Sequence, residues 1–84
     1  MSWFVYLLRC GDSTLYCGIA KDVETRLAQH RDGKGARYTK GRGPLEVVYF
    51  ESCPTKSEAL KRELRIKRMS RGEKLGLLES GAHT

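Results

Sequence analysis

Leu15–His30, LYCGIAKDVETRLAQH, sets the plan of the chain. It opens as a short apolar segment ending near Gly18, and at Asp22 it changes to the pattern of a helix. Asp22 is a favoured N-cap, because its carboxylate can accept from the orphan N–H groups of a first helical turn. Gly33 and Gly35 then stop the helix near Asp32. At roughly 100° per residue, Val23 and Leu27 define its apolar stripe, and Arg26 and His30 lie beside that stripe on one flank. Both can therefore reach the edge of a sheet. A tyrosine, a glycine, an arginine and a histidine fall within one strand-to-helix unit, and the rest of the chain must supply whatever they lack.

Upstream, Trp3–Cys10 (WFVYLLRC) is apolar and aromatic without a break, the pattern of a strand buried on both faces. Gly11-Asp12-Ser13 is a turn signal and Thr14–Ile19 a second short strand, so the two form a hairpin. With a three-residue loop, Cys10 faces Thr14, Leu8 faces Tyr16 and Tyr6 faces Gly18. Tyr6 and Tyr16 then become diagonal neighbours on one face, roughly 7–8 Å apart at Cα. A slip of one residue would put them on opposite faces.

Downstream, Gly33–Pro44 (GKGARYTKGRGP) has too many glycines for regular structure and is long enough for a functional loop. Leu45–Glu51 alternates and carries Val47, Val48, Tyr49 and Phe50, and reads as a third strand. Thr55-Lys56-Ser57-Glu58 is a capping box opening a helix that runs to about Met69. Ser70-Arg71-Gly72-Glu73 is a second box, opening a short helix that holds Leu75, Leu77 and Leu78 and ends at Gly81. The order is β-β-α-β-α-α, an α+β fold.

With 84 residues the chain makes one domain, residues 1–84, with a modest core. Hydrophobic residues at 39% and charged residues at 31% describe an ordinary globular chain rather than a disordered one. Its longest apolar run, the six residues Trp3–Leu8, is too short for a membrane helix or signal-peptide core, so a cytoplasmic protein with no membrane partner is expected. Cys10, Cys17 and Cys53 form no C-x-x-C pair and leave one over in any disulfide scheme, which points to free thiols in a reducing compartment. His30 and His83 lack finger-like spacing to them, which argues against structural zinc. The net charge of +6 is clustered. Lys34, Arg37, Lys40 and Arg42 lie in the glycine-rich loop without an acid, and Lys56–Lys74 carries eight basic residues against three glutamates. Clustered cations mark a phosphate-rich partner.

Glu63 is the unusual residue of the long helix. With Ala59 as zero, Ile66 falls at about −20°, Leu60 at about 100° and Leu64 at about 140°, so Glu63 at about 40° sits inside an apolar arc. A carboxylate there needs a partner. Lys67, four residues on, is one choice. A Mg²⁺ ion is the other, since it keeps most of its waters and is often held by one or two carboxylates plus a substrate phosphate. Arg26 and His30 taken alone fit a solvated helix flank as well as a catalytic pair. Tyr6 and Tyr16 alone fit sheet aromatics with satisfied hydroxyls.

In combination these residues carry a resemblance. Phe4-Val5-Tyr6, nine intervening residues, then Tyr16-Cys17-Gly18, Arg26, His30 and Ala59-Leu60-x-x-Glu63 resemble a GIY-YIG nuclease domain over nearly the whole chain. The similarity points to its small single-domain, UPF0213-like branch, catalogued as uncharacterised and related to structure-specific endonucleases. The resemblance implies a small three-stranded antiparallel sheet flanked by helices. It also implies hydrolysis of a phosphodiester with one Mg²⁺ or Mn²⁺ ion held by Glu63, DNA rather than RNA as substrate, and branched or damaged DNA in particular. Arg26 would bind the scissile phosphate, Tyr6 would take a proton from the attacking water, and Tyr16 and His30 would be hydrogen-bonded around it. A tyrosine with an ordinary pKa near 10 can do this at neutral pH only if a cation field or an acceptor such as His30 eases its deprotonation.

Two departures from the family pattern matter. The position after Gly18, often lysine in the repair-nuclease relatives, is Ile19; Lys21 is the nearest substitute. No added DNA-binding domain is expected, so substrate selection is expected to fall to Lys34, Arg37, Lys40 and Arg42 in the loop and to the helix after Thr55, or to a protein partner. Two other readings stand beside the nuclease: a nucleic-acid-binding module with little or no cleavage, and an interaction domain presenting Trp3 or the basic helix to a protein.

Overall fold

The computed structural model of the chain describes residues 2–35 and 39–79. Its elements are β1 (Trp3–Arg9), β2 (Leu15–Ala20), α1 (Val23–Arg31), β3 (Glu46–Cys53), α2 (Lys56–Lys67) and α3 (Arg71–Glu79). This is the expected α+β order, with boundaries moved by one or two residues. The expected stop at Gly81, and His83, lie outside the described residues.

The three strands form one antiparallel sheet in the order β2-β1-β3, which leaves β2 at an edge. The hairpin has the expected register: Tyr6 faces Gly18, Leu8 faces Tyr16, and the Cys10 N–H donates to the Thr14 carbonyl at 2.9 Å. Asp12 ties the turn, its Oδ1 accepting from the Thr14 hydroxyl at 2.6 Å and from the Thr14 N–H at 3.2 Å. The alternation expected of the third strand is broken at Val47-Val48-Tyr49-Phe50 by a register shift between Leu7 and Leu8 in the β1–β3 pairing. An extra residue in one strand puts two neighbours on one side. Val48 and Tyr49 pack on the α2 side of the sheet, while Val47 and Phe50 pack on the α1 side.

The core is accordingly split by the sheet. On one face Val5, Leu7, Cys17 and Tyr49 meet Ala59 and Ile66 of α2, with Leu77 and Leu78 of α3 packed beside them. On the other, Tyr6, Leu8 and Ala20 meet Val23 and Leu27 of α1. β1 lies between the two, so the expectation of a strand buried on both faces holds.

The helix starts follow the capping chemistry. Asp22 accepts from the Thr25 N–H at 3.1 Å, and Thr55 Oγ1 accepts from the Glu58 N–H at 3.1 Å. Ser70 and Glu73 form the reciprocal box, with bonds of 3.2 and 3.0 Å. The apolar arc of α2 is narrower than the wheel implies. Ala59 and Ile66 are fully buried, but Leu60 and Leu64 are 42% and 53% exposed. The small Ala59 lets the helix come close to the sheet along one line, and residues 100° or more from it swing out to solvent. Arg62 flanks that line. Its Nε donates to Glu51 Oε1 of β3 at 2.6 Å, and Glu51 also accepts from the Tyr49 hydroxyl.

This packing separates two leucine-sized side chains on one helix. Ile66→Ala is expected to lower the urea unfolding free energy by about 2–4 kcal/mol. Leu64→Ala is expected to cost under about 1 kcal/mol. Equal losses would mean that the helix rests on a different face.

Candidate active site

The hairpin register creates the first part of the site. Tyr6 is buried on the α1 side of the sheet, directly opposite Gly18. Its hydroxyl occupies the space a side chain would need: a Cβ at position 18 would lie 2.6 Å from Tyr6 Oη. Gly18 therefore lets the phenol lie across β2. Tyr16 is the expected diagonal neighbour, its ring centroid 6.5 Å from that of Tyr6.

α1 brings the second part. His30 is in its last turn and is the helix's buried residue. Its Nε2 lies 2.9 Å from the Tyr6 hydroxyl and its Nδ1 lies 2.7 Å from Thr39 Oγ1, so both ring nitrogens are engaged. The Tyr16 ring meets the imidazole edge-on at 5.3 Å. Gly35 closes the remaining side, since a Cβ there would be 2.2 Å from Nδ1. The sequence singled out His30 but missed Thr39 and the role of Gly35. A buried hydroxyl nine residues away, across a glycine-rich segment, carries no periodic signal.

Burial governs the protonation states. It pushes the Tyr6 hydroxyl up to about 12, against a hydrogen bond from Arg26 that pulls it down. It also holds His30 below its ordinary value, with the Arg26 charge acting in the same direction. At neutral pH both groups are uncharged, so one imidazole nitrogen donates and the other accepts. Of the two routes that would ease Tyr6 deprotonation, the acceptor is in place, whereas the cation field is outweighed by burial. Arg26, half-buried on α1, also donates through Nη1 to Gln29 Oε1 at 2.8 Å.

Glu63 approaches from the other side of the sheet. Its side chain is only 14% exposed, and one carboxylate oxygen lies 3.6 Å from Lys67 Nζ. Its charge is felt at Tyr16 and at Cys17, whose thiol burial pushes up to about 12. The ion pair on the helix is thus real, and its charges are felt at Tyr16. Among the described residues no three His, Cys, Asp or Glu side chains gather as a metal cage. A lone carboxylate oxygen donor fits a hydrated Mg²⁺ or Mn²⁺ that a phosphate helps to hold, and does not fit a structural Zn²⁺ or an all-protein Ca²⁺ site.

The loop residues divide. Lys34 and Lys40 are exposed, and Arg37 lies outside the described residues. Arg42 pairs with Asp12, and the Gly11 N–H donates to the Arg42 carbonyl at 2.5 Å. Arg42 therefore ties the loop to the β1–β2 turn, which helps hold Thr39 against His30. Lys21 does not turn toward Tyr6. Its Nζ sits 5.3 Å from the centroid of the Trp3 ring on the opposite face of the sheet, so it does not replace the lysine missing at Ile19. The three cysteines are buried free thiols. No described helix is long and apolar enough to cross a membrane.

Comparison with known proteins agrees with this geometry. The model of the GIY-YIG catalytic domain matches residues 2–75. A UPF0213 protein of Staphylococcus epidermidis is 54% identical over 78 residues, covering 93% of this chain and 95% of its own. A UPF0213 protein of Nitratidesulfovibrio vulgaris is 51% identical over 76 residues, covering 90% of this chain and 69% of its own. The solution NMR structure of a UPF0213 protein from Bacillus halodurans superposes with a TM-score of 0.61 at 42% identity, over 94% of this chain and 84% of that one. A second NMR structure, of a protein from E. faecalis, gives 0.65 at 34% identity, over 95% and 85%. The chain belongs to the GIY-YIG catalytic-domain family, a family of nuclease type, and its relatives include the small UPF0213 proteins.

Proposed function

We propose that the protein is a metal-dependent endonuclease that hydrolyses phosphodiester bonds in DNA, with branched or damaged DNA as its substrate. The observation that carries this reading is the buried chain Tyr6–His30–Thr39 with Arg26 at its end and Glu63 across the strand edge. In outline, Glu63 would exchange Lys67 for one Mg²⁺ or Mn²⁺, whose chemistry when bound is to polarise the scissile phosphate and stabilise the departing oxygen. Arg26 binds the same phosphate and offsets charge developing in the transition state. Tyr6 acts as a relay rather than as a preformed phenolate, which a hydroxyl pushed up to about 12 scarcely populates at neutral pH. The attacking water gives its proton to the Tyr6 oxygen as the Tyr6 proton passes to His30 Nε2. Thr39 fixes the tautomer that leaves Nε2 free, by accepting from Nδ1–H. Tyr16 packs edge-on against the imidazole and holds its plane.

A second reading has its own support. The Glu63–Lys67 pair and Ile19 in place of lysine suit a module that binds nucleic acid and cuts it poorly. The two separate on one panel of labelled DNA and RNA structures, including branched and lesioned duplexes, with Mg²⁺, Mn²⁺ or chelator. An endonuclease yields metal-dependent product, and Glu63→Ala and Tyr6→Phe each lower it by about 100-fold or more while leaving affinity nearly intact. Binding without metal-dependent product would establish the second reading.

The relay also sets a pH profile. His30 accepts a proton only when neutral, and its lowered value places the loss of activity on the acid side, below 6.5. The ratio kcat/KM should rise with pH through that limb and stay level from about pH 7 to 9, because the Tyr6 titration lies far above. A tenfold rise per pH unit between 7 and 9 would instead point to hydroxide or phenolate attack and remove the relay.

A further inference from the structure

The site lies on the open edge of the sheet. β2 is an edge strand, and Tyr16, Gly18 and the Tyr6 hydroxyl mark its middle, with α1 on one side and α2 on the other. The strand itself, Leu15–Ala20 (LYCGIA), carries no charge. Cations gather at both of its ends.

At the Ala20 end, two ammonium groups converge on one indole. Lys21 and Lys56 each place Nζ 5.3 Å from the centroid of the half-buried Trp3 ring. Neither makes an ion pair among the described residues, and the two are at most twice that distance apart. Cation–π attraction to Trp3 holds both ammonium groups at one place, a local concentration of positive charge. Such a patch attracts an anion. At the Leu15 end, Arg71 and Lys74 at the start of α3 line a recess of about 200 Å³ together with Thr14 and Leu15. They too make no ion pair among the described residues, and the Lys74 charge is felt at Cys17 in the middle of β2.

The spacing suits one strand of nucleic acid. Six residues of β-strand span roughly 20 Å, and a duplex strand advances about 3.4 Å per nucleotide, so roughly six nucleotides match the edge. We infer that a nucleic-acid strand runs along the open edge of β2, pinned beyond one end by Lys21 and Lys56 around Trp3 and beyond the other by Arg71 and Lys74. The inference rests on the proposed nucleic-acid substrate and gives that substrate its path. It assigns binding to the α2 and α3 side of the edge, in addition to the glycine-rich loop. Base or sugar passes over the uncharged middle, and the phosphate opposite Gly18 comes to Tyr6, Arg26 and Glu63. The competing role for lysines at a sheet edge is to block pairing with another chain. Here the strand that would pair is uncharged, and the cations stand beyond its ends.

The test uses the full chain, a labelled branched DNA and chelator, so that affinity is read without cleavage. Binding is titrated over a range of KCl concentrations for the wild type, Lys21→Gln/Lys56→Gln, Arg71→Gln/Lys74→Gln, and the control Lys61→Gln/Arg65→Gln on the outer face of α2, with urea midpoints to confirm folding. Each of the two end pairs should lower the slope of log K against log salt by about 1.4–1.8, and affinity at 0.1 M salt by roughly 25- to 60-fold, while the control changes little. Trp3 is the single tryptophan, so its emission should change on DNA addition in the wild type and not in Lys21→Gln/Lys56→Gln. Unchanged slopes for both end pairs, losses matched by the control, or association of the end-pair variants with normal DNA affinity would each overturn the inference and leave the proposed function standing. A wild type that binds no nucleic acid at low salt would overturn both.

Discussion

The hydrogen bond between Tyr6 and His30 joins the sheet to α1, and both the fold and the site depend on it. α1 is nine residues long and its buried residue is that histidine, not a leucine. A helix so short is marginal alone and takes its stability from tertiary contacts. Val23 and Leu27 are only partly buried against the sheet, so the polar chain from Tyr6 through His30 to Thr39 does much of the anchoring. Buried polar groups stabilise only when every member is satisfied. No buried side-chain polar atom among the described residues lacks a partner. Holding the helix and preparing the histidine are one requirement met by the same atoms.

The same burial that secures the anchor raises the barrier to using it. With the Tyr6 hydroxyl pushed up to about 12 and His30 held below its ordinary value, both by burial, moving the proton from phenol to imidazole in the free protein is uphill. Arg26 acts on both ends in opposite senses: it favours the phenolate and disfavours the imidazolium. A phosphate seated on Arg26 would cancel the second effect by neutralising the charge that faces His30. Substrate binding would then make the histidine a better acceptor at the moment an acceptor is needed, and an idle site would hold its protons.

The hairpin could be read from sequence because a short turn and a side-chain period of two leave few registers, and only one puts Tyr6 against Gly18. Asp22, Thr55 and Ser70 were readable for a similar reason, since capping is local chemistry. What escaped depends on chain segments meeting in space. Arg42 looked like a free cation in a basic loop, but Asp12, thirty residues earlier, takes it up. Lys21 looked like a stand-in for a missing lysine until Trp3 drew it to the other face. Leu60 and Leu64 looked buried because a wheel assigns faces without knowing how closely a helix can approach its sheet.

The aim of Glu63 follows from that last point. Since α2 touches the sheet along the narrow line of Ala59 and Ile66, apolar packing alone would leave its rotation loosely set. Arg62 removes the freedom. It lies on one flank of the line, bonded to Glu51 at 2.6 Å, while Glu51 also takes the hydroxyl of the buried Tyr49. A half-buried, charge-assisted bond of this kind has a preferred geometry that apolar contact lacks. With Arg62 held toward β3, Glu63 one residue on must face the opposite flank, toward β2, where its charge reaches Tyr16 and Cys17. The ion pair toward the β3 edge of this face thus directs the carboxylate toward the β2 edge, and the direction of Glu63 is a consequence of how the helix is clamped rather than of where its hydrophobic residues fall.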